Sequence, residues 1–386
     1  MTSYFTQQNL EPMTREELER SLERYQRHDD YALIFDILRH RRGAGSEGER
    51  AIIESYIMPH NPHVDEYGNL IVTRGDSSVL WSCHTDTVCR ANRGDRFQRV
   101  RPMLNATGRV VLALDGKSKK VGSCLGADDG AGLFIMLRML EAGVPGSYVF
   151  HRDEESGCLG SGFIKESNPE WLERFKYAIA FDRQDFSEVI THQASGRTAS
   201  DAFAIALADA INAHGFGFKY APSDRGVYTD SNEYAGIIPE CSNIGVGYQR
   251  QHGPTETLDL SHLFLLKDAM CEFQESDLVC ERDPKESLSR FTHWRDSYYA
   301  TGYGYRNATQ IGYKRYDPWS DEFESDDAQP VILPGNELTV SQLAEMVADY
   351  PRETAELLDS YGLGYEMLAE MIQDLRGYIP AASNYK

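Results

Sequence analysis

Val79-Leu80-Trp81-Ser82-Cys83 is an unbroken run of apolar and small side chains, and it passes directly into His84-Thr85-Asp86. Five such residues suit a strand covered on both faces and are too few for a helix. Chemistry begins where the run stops, with an imidazole and a carboxylate two residues apart. The arrangement recurs downstream. Tyr148 to His151 reads as a second strand, followed by Glu154-Glu155, and Tyr177 to Phe181 as a third, closed by Asp182. Between the first two lies Gly130 to Glu141, whose apolar Leu133, Phe134, Met136, Leu137 and Leu140 have helical spacing, with Asp128-Asp129 just ahead of it. Strands alternating with helices predict an α/β fold with a mixed, mostly parallel sheet flanked by helices. The carboxyl ends of such strands share one edge, where sites form.

The flanking sequence extends this domain to about 15–290. Residues 15–42 are helical in pattern (Leu18, Leu22, Tyr25, Leu33, Phe35, Leu38) and stop at Gly43 and Gly45; Gly48 to Met58 reads as a second helix. Ala202–His214 reads as another helix, Pro222–Tyr234 as a loop, and the long stretch Arg90 to Val121 as a hairpin flap over the site. Composition then changes. Residues 291–336 hold clustered tyrosines and six acids between Asp317 and Asp327, the mark of a linker. A helical pattern resumes over 337–386, a small appendage suited to a protein partner or to self-association.

With 60 acidic against 39 basic residues, a formal charge of −21, the chain lacks the basic footprint that nucleic acid or an anionic membrane demands. A hydrophobic fraction of 41% supplies a sizeable core. No eighteen apolar residues follow one another, and the N-terminal stretch has no signal-like apolar run. Seven cysteines without regular spacing or a CxxC pair read as free thiols in a reducing compartment, so the expected location is cytoplasmic.

One edge of the sheet thus gathers a histidine and several carboxylates, which as bare charges would repel and resist ionisation. Two divalent ions, bridged by a shared carboxylate, would relieve this. His252 supplies a second imidazole, and mixed nitrogen and oxygen ligation suits zinc first, with cobalt or manganese as alternatives. Each group alone has a plainer reading. A histidine after a strand is commonly a hydrogen-bonded core residue, and Asp128-Asp129 beside glycines a turn.

Their order removes that ambiguity. Ser82-Cys83-His84-Thr85-Asp86-Thr87-Val88, Leu125-Gly126-Ala127-Asp128-Asp129-Gly130-Ala131-Gly132, Asp153-Glu154-Glu155-Ser156-Gly157-Cys158-Leu159-Gly160-Ser161, Phe181-Asp182 and His252-Gly253-Pro254-Thr255-Glu256 follow one another as in the co-catalytic di-zinc exopeptidase superfamily. That superfamily takes in tripeptidases, glutamate carboxypeptidase-like enzymes and leucyl aminopeptidases, and has a phosphorylase/hydrolase-like fold. Ser46-Glu47 and Asp65-Glu66-Tyr67-Gly68-Asn69 also resemble its N-terminal segments, so the resemblance spans roughly residues 30–270.

The resemblance implies that Asp128 bridges two metals, that His84 and Asp182 complete one, and that Glu155 and His252 complete the other. It implies that Asp86 orients His84, that Glu154 is the general base, and that the Asp128–Asp129 peptide bond is cis. The carboxypeptidase branches insert a lid domain between the last two ligands. Here the step from Asp182 to His252 is only 70 residues, which resembles the lid-free aminopeptidases, and Tyr228-Thr229-Asp230-Ser231 resembles a serine-aspartate loop there.

Tyr248 and Arg250 are the expected donors to an oxyanion, and Glu154 together with Asp230 or Glu233 the expected partners of a substrate amine. His192 and His214 read as surface or loop residues, and Cys83, Cys124 and Cys158 as packing. Gly116-Lys117-Ser118 is not a phosphate loop, because position 111 is Val and no helix pattern follows. The expected activity is an aminopeptidase acting on short peptides. The alternatives are a carboxypeptidase, deacylase or other amidohydrolase on the same centre, or a non-catalytic scaffold.

Overall fold

The computed structural model describes residues 29–287 apart from 90–95, 106–108 and 121. These belong to the first of two units into which the chain divides, Met1–Tyr316 and Asp317–Lys386. The expected linker at 291–336, the appendage at 337–386 and the helical pattern before residue 29 lie outside the described residues.

In chain order the strands are β1 (His63–Val64), β2 (Leu70–Arg74), β3 (Val79–His84), β4 (Val100–Leu104), β5 (Val110–Leu114), β6 (Gly146–His151) and β7 (Tyr177–Arg183). They continue as β8 (Glu188–Ile190), β9 (His192–Gln193), β10 (Gly196–Arg197), β11 (Ala221–Ser223), β12 (Glu240–Gly245), β13 (Tyr248–Gln249) and β14 (Thr257–Asp259). The main sheet has the order β1-β2-β6-β3-β7-β12-β8-β11. Strand β3 is parallel to both neighbours and β12 is parallel to β7, while β1–β2, β2–β6 and β12–β8 are antiparallel. This is the mixed, mostly parallel sheet expected.

All six residues of β3 are buried, because both faces are covered. Trp81 and Cys83 face the larger core with Tyr148 and Phe181, whereas Leu80 faces a second core with Val149, Ala178 and Tyr234. Trp81 stacks on Phe181 with ring centroids 5.8 Å apart. Over the larger core the helix Ala127–Ala142 packs on β3 and β7 and also against the helices Asp29–Arg39 and Leu260–Cys271, which is why it is apolar nearly all round. The helix Leu159–Ser167 and the short helix Asp230–Glu233 lie over the other face.

Register then aligns the chemistry. His84 is opposite His151 in the β3–β6 pair, and Ser82 is opposite Ala180 in the β3–β7 pair. Two residues further, His84 and Asp182 reach the same edge together.

Several local expectations change. The hairpin expected within 90–121 exists as β4–β5, yet it is no flap over the site: it belongs to a second sheet, β13-β14-β5-β4, and packs on the helix Leu260–Cys271. Five consecutive buried apolar residues in β5 require cover on both faces, which a flap would not provide. Pro222–Tyr234 is not a plain loop, since it contains β11 and the helix Asp230–Glu233. The expected helix Gly48–Met58 is α-helical over Glu47–Ile52 and then widens to a π turn, Ile53–Ile57. It ends in a 3-10 turn holding Pro59, which has no N–H to continue the ladder. Strand β7 runs through Arg183, so Asp182 lies inside it rather than after it. Among the described residues no helix is long and apolar enough to cross a membrane.

Gly132 lies at a close approach of helix to sheet. A methyl group there would stand 2.5 and 2.6 Å from the Asp129 carboxylate oxygens and 2.7 Å from the Phe181 carbonyl oxygen. Gly132→Ala is therefore expected to cost about 1–3 kcal/mol by overpacking. The check is a urea midpoint below that of the parent at unchanged slope; equal midpoints would refute the fit.

Candidate metal centre

The turn that carries Asp128 is held from two distant parts of the chain. Gly126 takes a left-handed conformation at φ 76°, and the Asp128–Asp129 peptide bond is cis. Glu256, fully buried, accepts hydrogen bonds from the backbone N–H groups of Gly126 (2.9 Å), Ala127 (2.7 Å) and Asp128 (3.0 Å). Burial and the neighbouring Asp128 push its carboxyl up to about 7. Arg42, also buried, donates to the carbonyl oxygens of Thr85, Ile37 and Gly126. Asp129 turns inward, accepting from the N–H groups of His84 (3.3 Å) and Gly132 (2.9 Å). It braces the end of β3 against the helix start.

Asp128 faces the edge with both oxygens engaged. Its Oδ1 lies 3.1 Å from His84 Nε2, and its Oδ2 lies 3.1 Å from His252 Nε2. His84 Nε2 is also 3.6 Å from Asp182 Oδ1, and His252 Nε2 is 3.2 Å from Glu155 Oε2. Two clusters result, His84-Asp128-Asp182 and Asp128-Glu155-His252, each with donor atoms within 4.8 Å of one another. Donors about 2.0 Å from a tetrahedral zinc ion stand about 3.3 Å apart, which matches these spacings and the mixed nitrogen and oxygen donor set. Both clusters fit a divalent ion, and Asp128 offers one oxygen to each.

The electrostatics agree with that fit. Burial and the charge of Asp128 raise the Glu155 and Asp182 carboxyls above their ordinary range. Against burial, which disfavours its charge, hydrogen bonds from His252 and His84 hold Asp128 well below that range. Burial opposes protonation of His252, yet Asp128 and Glu155 raise it to about 12. These acids demand a nearby cation, and a metal ion serves in place of protons on the imidazoles.

Around the donors lies a second set of contacts. His84 Nδ1 is 3.1 Å from the Asp86 carbonyl oxygen and 3.5 Å from the Asp86 carboxylate. That carboxylate also accepts from the N–H groups of Glu154 (3.1 Å) and Glu155 (3.3 Å), tying the imidazole to the turn 154–156. Glu154 Oε2 is 3.9 Å from His84 Nε2, at the rim of the first cluster, and Oε1 accepts from the Cys158 thiol at 3.4 Å. Burial, partly offset by His84 and reinforced by Asp182, Asp230 and Glu155, keeps the Glu154 carboxyl well above its ordinary range.

Asp182 receives hydrogen bonds from Thr229 Oγ1 (2.7 Å) and the Tyr248 hydroxyl (3.1 Å). Tyr248 thus gives its proton to a putting-in-place contact with Asp182, and Arg250 is exposed at a left-handed position two residues before His252. Asp230 is buried beneath the donors, where Ser161 donates to it at 2.6 Å and His151 Nδ1 lies 3.2 Å away. Glu233 is likewise buried and meets Lys165 and Tyr228. Both carboxylates are engaged from within the fold. His192 and His214 are half-buried; His192 meets Thr191, and His214 lies 3.7 Å from Glu272.

Some supporting residues had little or no local signal. His151, at the end of β6, bonds the Tyr234 hydroxyl at 2.8 Å, and nothing in its sequence neighbourhood marks it out. Glu49 binds Arg152 through 2.7 and 3.0 Å contacts and accepts from Thr85 at 2.6 Å. The spacing Ser46 to Glu49 was a usable sign, since Ser46 caps the Glu49 N–H and Glu49 reaches back to the Gly45 N–H.

No family model and no curated protein matches this sequence. Solved structures do. A tripeptidase from Staphylococcus aureus subsp. aureus Mu50 shares 17% identity over 64% of this chain and 96% of its own, with a TM-score of 0.50. Aminopeptidase PepT from Bacillus cereus ATCC 10987 shares 14% over 66% of this chain and 98% of its own, at 0.46. An aminopeptidase from the archaeon Desulfurococcus kamchatkensis shares 15% over 63% and 93%, at 0.42. The likeness to the tripeptidase is one of fold, and within that fold the two donor clusters share Asp128.

Proposed function

We propose that this chain is a di-zinc aminopeptidase that hydrolyses short peptides. One observation carries the reading: Asp128 presents separate oxygens to two imidazole-containing clusters, with the unligated Glu154 beside them. His84, Asp128 and Asp182 would hold one ion and Asp128, Glu155 and His252 the other. When bound, the ions polarise the scissile carbonyl and make water acidic enough to attack near neutral pH.

The residues of the chain do the rest. Glu154 takes a proton from the attacking water as the carbon–oxygen bond forms, then gives it to the amine nitrogen as the carbon–nitrogen bond breaks. Cys158 keeps its own proton, because burial and then the Glu154 charge push its thiol well up, so it remains a donor that aims Glu154. Asp86 holds His84 and the N–H groups of Glu154 and Glu155 in one rigid set, the support that a ligating imidazole needs. Thr229 and Tyr248 fix the Asp182 carboxylate, and Arg250 is the oxyanion donor in this reading.

Recognition of the amine end, rather than the carboxyl end, is supported by the short step from Asp182 to His252 and by the charge of −21, which attracts a cationic terminus. Acetylating the substrate amine is expected to suppress cleavage by about a hundredfold or more, a loss comparable to a mispositioned substrate. Amidating the carboxyl end should leave the rate within about twofold, since this reading places recognition at the amine end. Liquid chromatography of the products checks this. The opposite pattern would move the chain to the carboxypeptidase or deacylase reading.

A further inference from the structure

A cavity of about 580 Å³ adjoins the metal centre on its Glu155 side. Its walls are the turn 43–46, the segment 86–89 and Glu155 with Ser156. They are fixed to one another by backbone contacts. Gly43 and Thr87 form a β-bridge, Ser46 N–H donates to the Gly43 carbonyl at 2.9 Å, and Val88 N–H donates to Glu155 Oε1 at 3.2 Å. The space is therefore already shaped, as small-molecule sites usually are, and its volume is in their range.

Two features describe what it would take. The turn 43–46 reads Gly-Ala-Gly-Ser, so no side chain from that wall reaches far inward, and nothing stands within 4 Å of a methyl group placed on Gly45. Among the described residues the lining holds no Lys, Arg or His, and its two acids are already engaged, Asp86 by the Glu154 and Glu155 N–H groups and Glu155 beside His252. The donors also differ in access. His84 is fully buried, whereas Glu155 is half-buried, and of the five donors Glu155 is the one that lines this cavity.

We infer that the cavity receives the amino-terminal residue of the substrate, and that the small residues of the turn 43–46 let it admit large side chains. This deepens the aminopeptidase reading and rests on it.

The test uses metal-loaded protein and two tripeptide amides that differ only in the first residue: alanine or phenylalanine. The parent should cleave the phenylalanine peptide at least as well as the alanine peptide. Ala44 is exposed, so Ala44→Phe projects into the cavity without disturbing a packed core. It should lower the phenylalanine-to-alanine ratio of kcat/KM about tenfold or more. Ser156→Trp, from the facing wall, should do the same and decides the matter if Ala44→Phe does not fold. Calorimetric binding of the two peptides to the Glu154→Gln protein should give the parent's order without turnover. Cleavage with an unchanged ratio in the folded variants overturns the pocket and leaves the aminopeptidase reading standing. No cleavage of any free-amine peptide by the parent overturns that reading, and this inference with it.

Discussion

Asp128→Ala is expected to empty both metal positions at once. Elemental analysis of the parent should find about two divalent ions per chain, as a shared carboxylate between paired ions implies, and the variant should hold close to none. The reason is in the contacts: Oδ1 serves the His84 side and Oδ2 the His252 side, so one truncation removes a donor from each. His252→Ala removes a donor from one cluster only and should weaken mainly one ion. Loss of the ions also leaves Glu155 and Asp182 crowded on one edge with less opposing charge. The thermal midpoint of Asp128→Ala should accordingly stop rising with added zinc, whereas that of the parent should rise, because a ligand that binds only the folded state stabilises it. Chelation should abolish hydrolysis by the parent, and zinc, cobalt or manganese should restore it. A variant that kept both ions would end the bridging assignment, and an active metal-free parent would end the functional reading.

Glu154→Gln should separate metal binding from turnover. The amide keeps the size of the side chain and still accepts the Cys158 thiol hydrogen bond through its remaining oxygen. It cannot take a proton from water. Turnover is expected to fall by about a hundredfold or more, the usual loss when a general base is removed, with metal content unchanged by elemental analysis. Glu155→Gln makes the contrast, since Glu155 Oε2 lies 3.2 Å from His252 Nε2 and its replacement should cost metal as well as rate. Near-normal turnover in Glu154→Gln would remove the base from the mechanism.

What could be read along the chain was whatever a short window contains. Val79 to Cys83 announced a strand covered on both faces, and β3 is buried throughout. His84, Asp128, Glu155, Asp182 and His252 were legible from residue type and from an order that resembles a known superfamily, and the fold brings them into two clusters that share Asp128. The hairpin β4–β5 was legible as a hairpin but not as part of a second sheet, because its partner β14 is supplied by residues 257–259.

The contacts that aim the site were hidden for the same cause. Glu256 reaches the Gly126 turn across 130 residues of chain, Arg42 reaches Gly126 across 84, and Thr229 reaches Asp182 across 47. Side-chain periodicity reports which face of an element is covered, whereas a hydrogen bond between distant segments depends on how several elements pack together. The types and order of the donors were therefore a property of the sequence. Their spacing, their burial and the direction of each lone pair follow from the parallel register of β3, β6 and β7 and from the helix packed across them, which place groups from five separate segments within one another's reach.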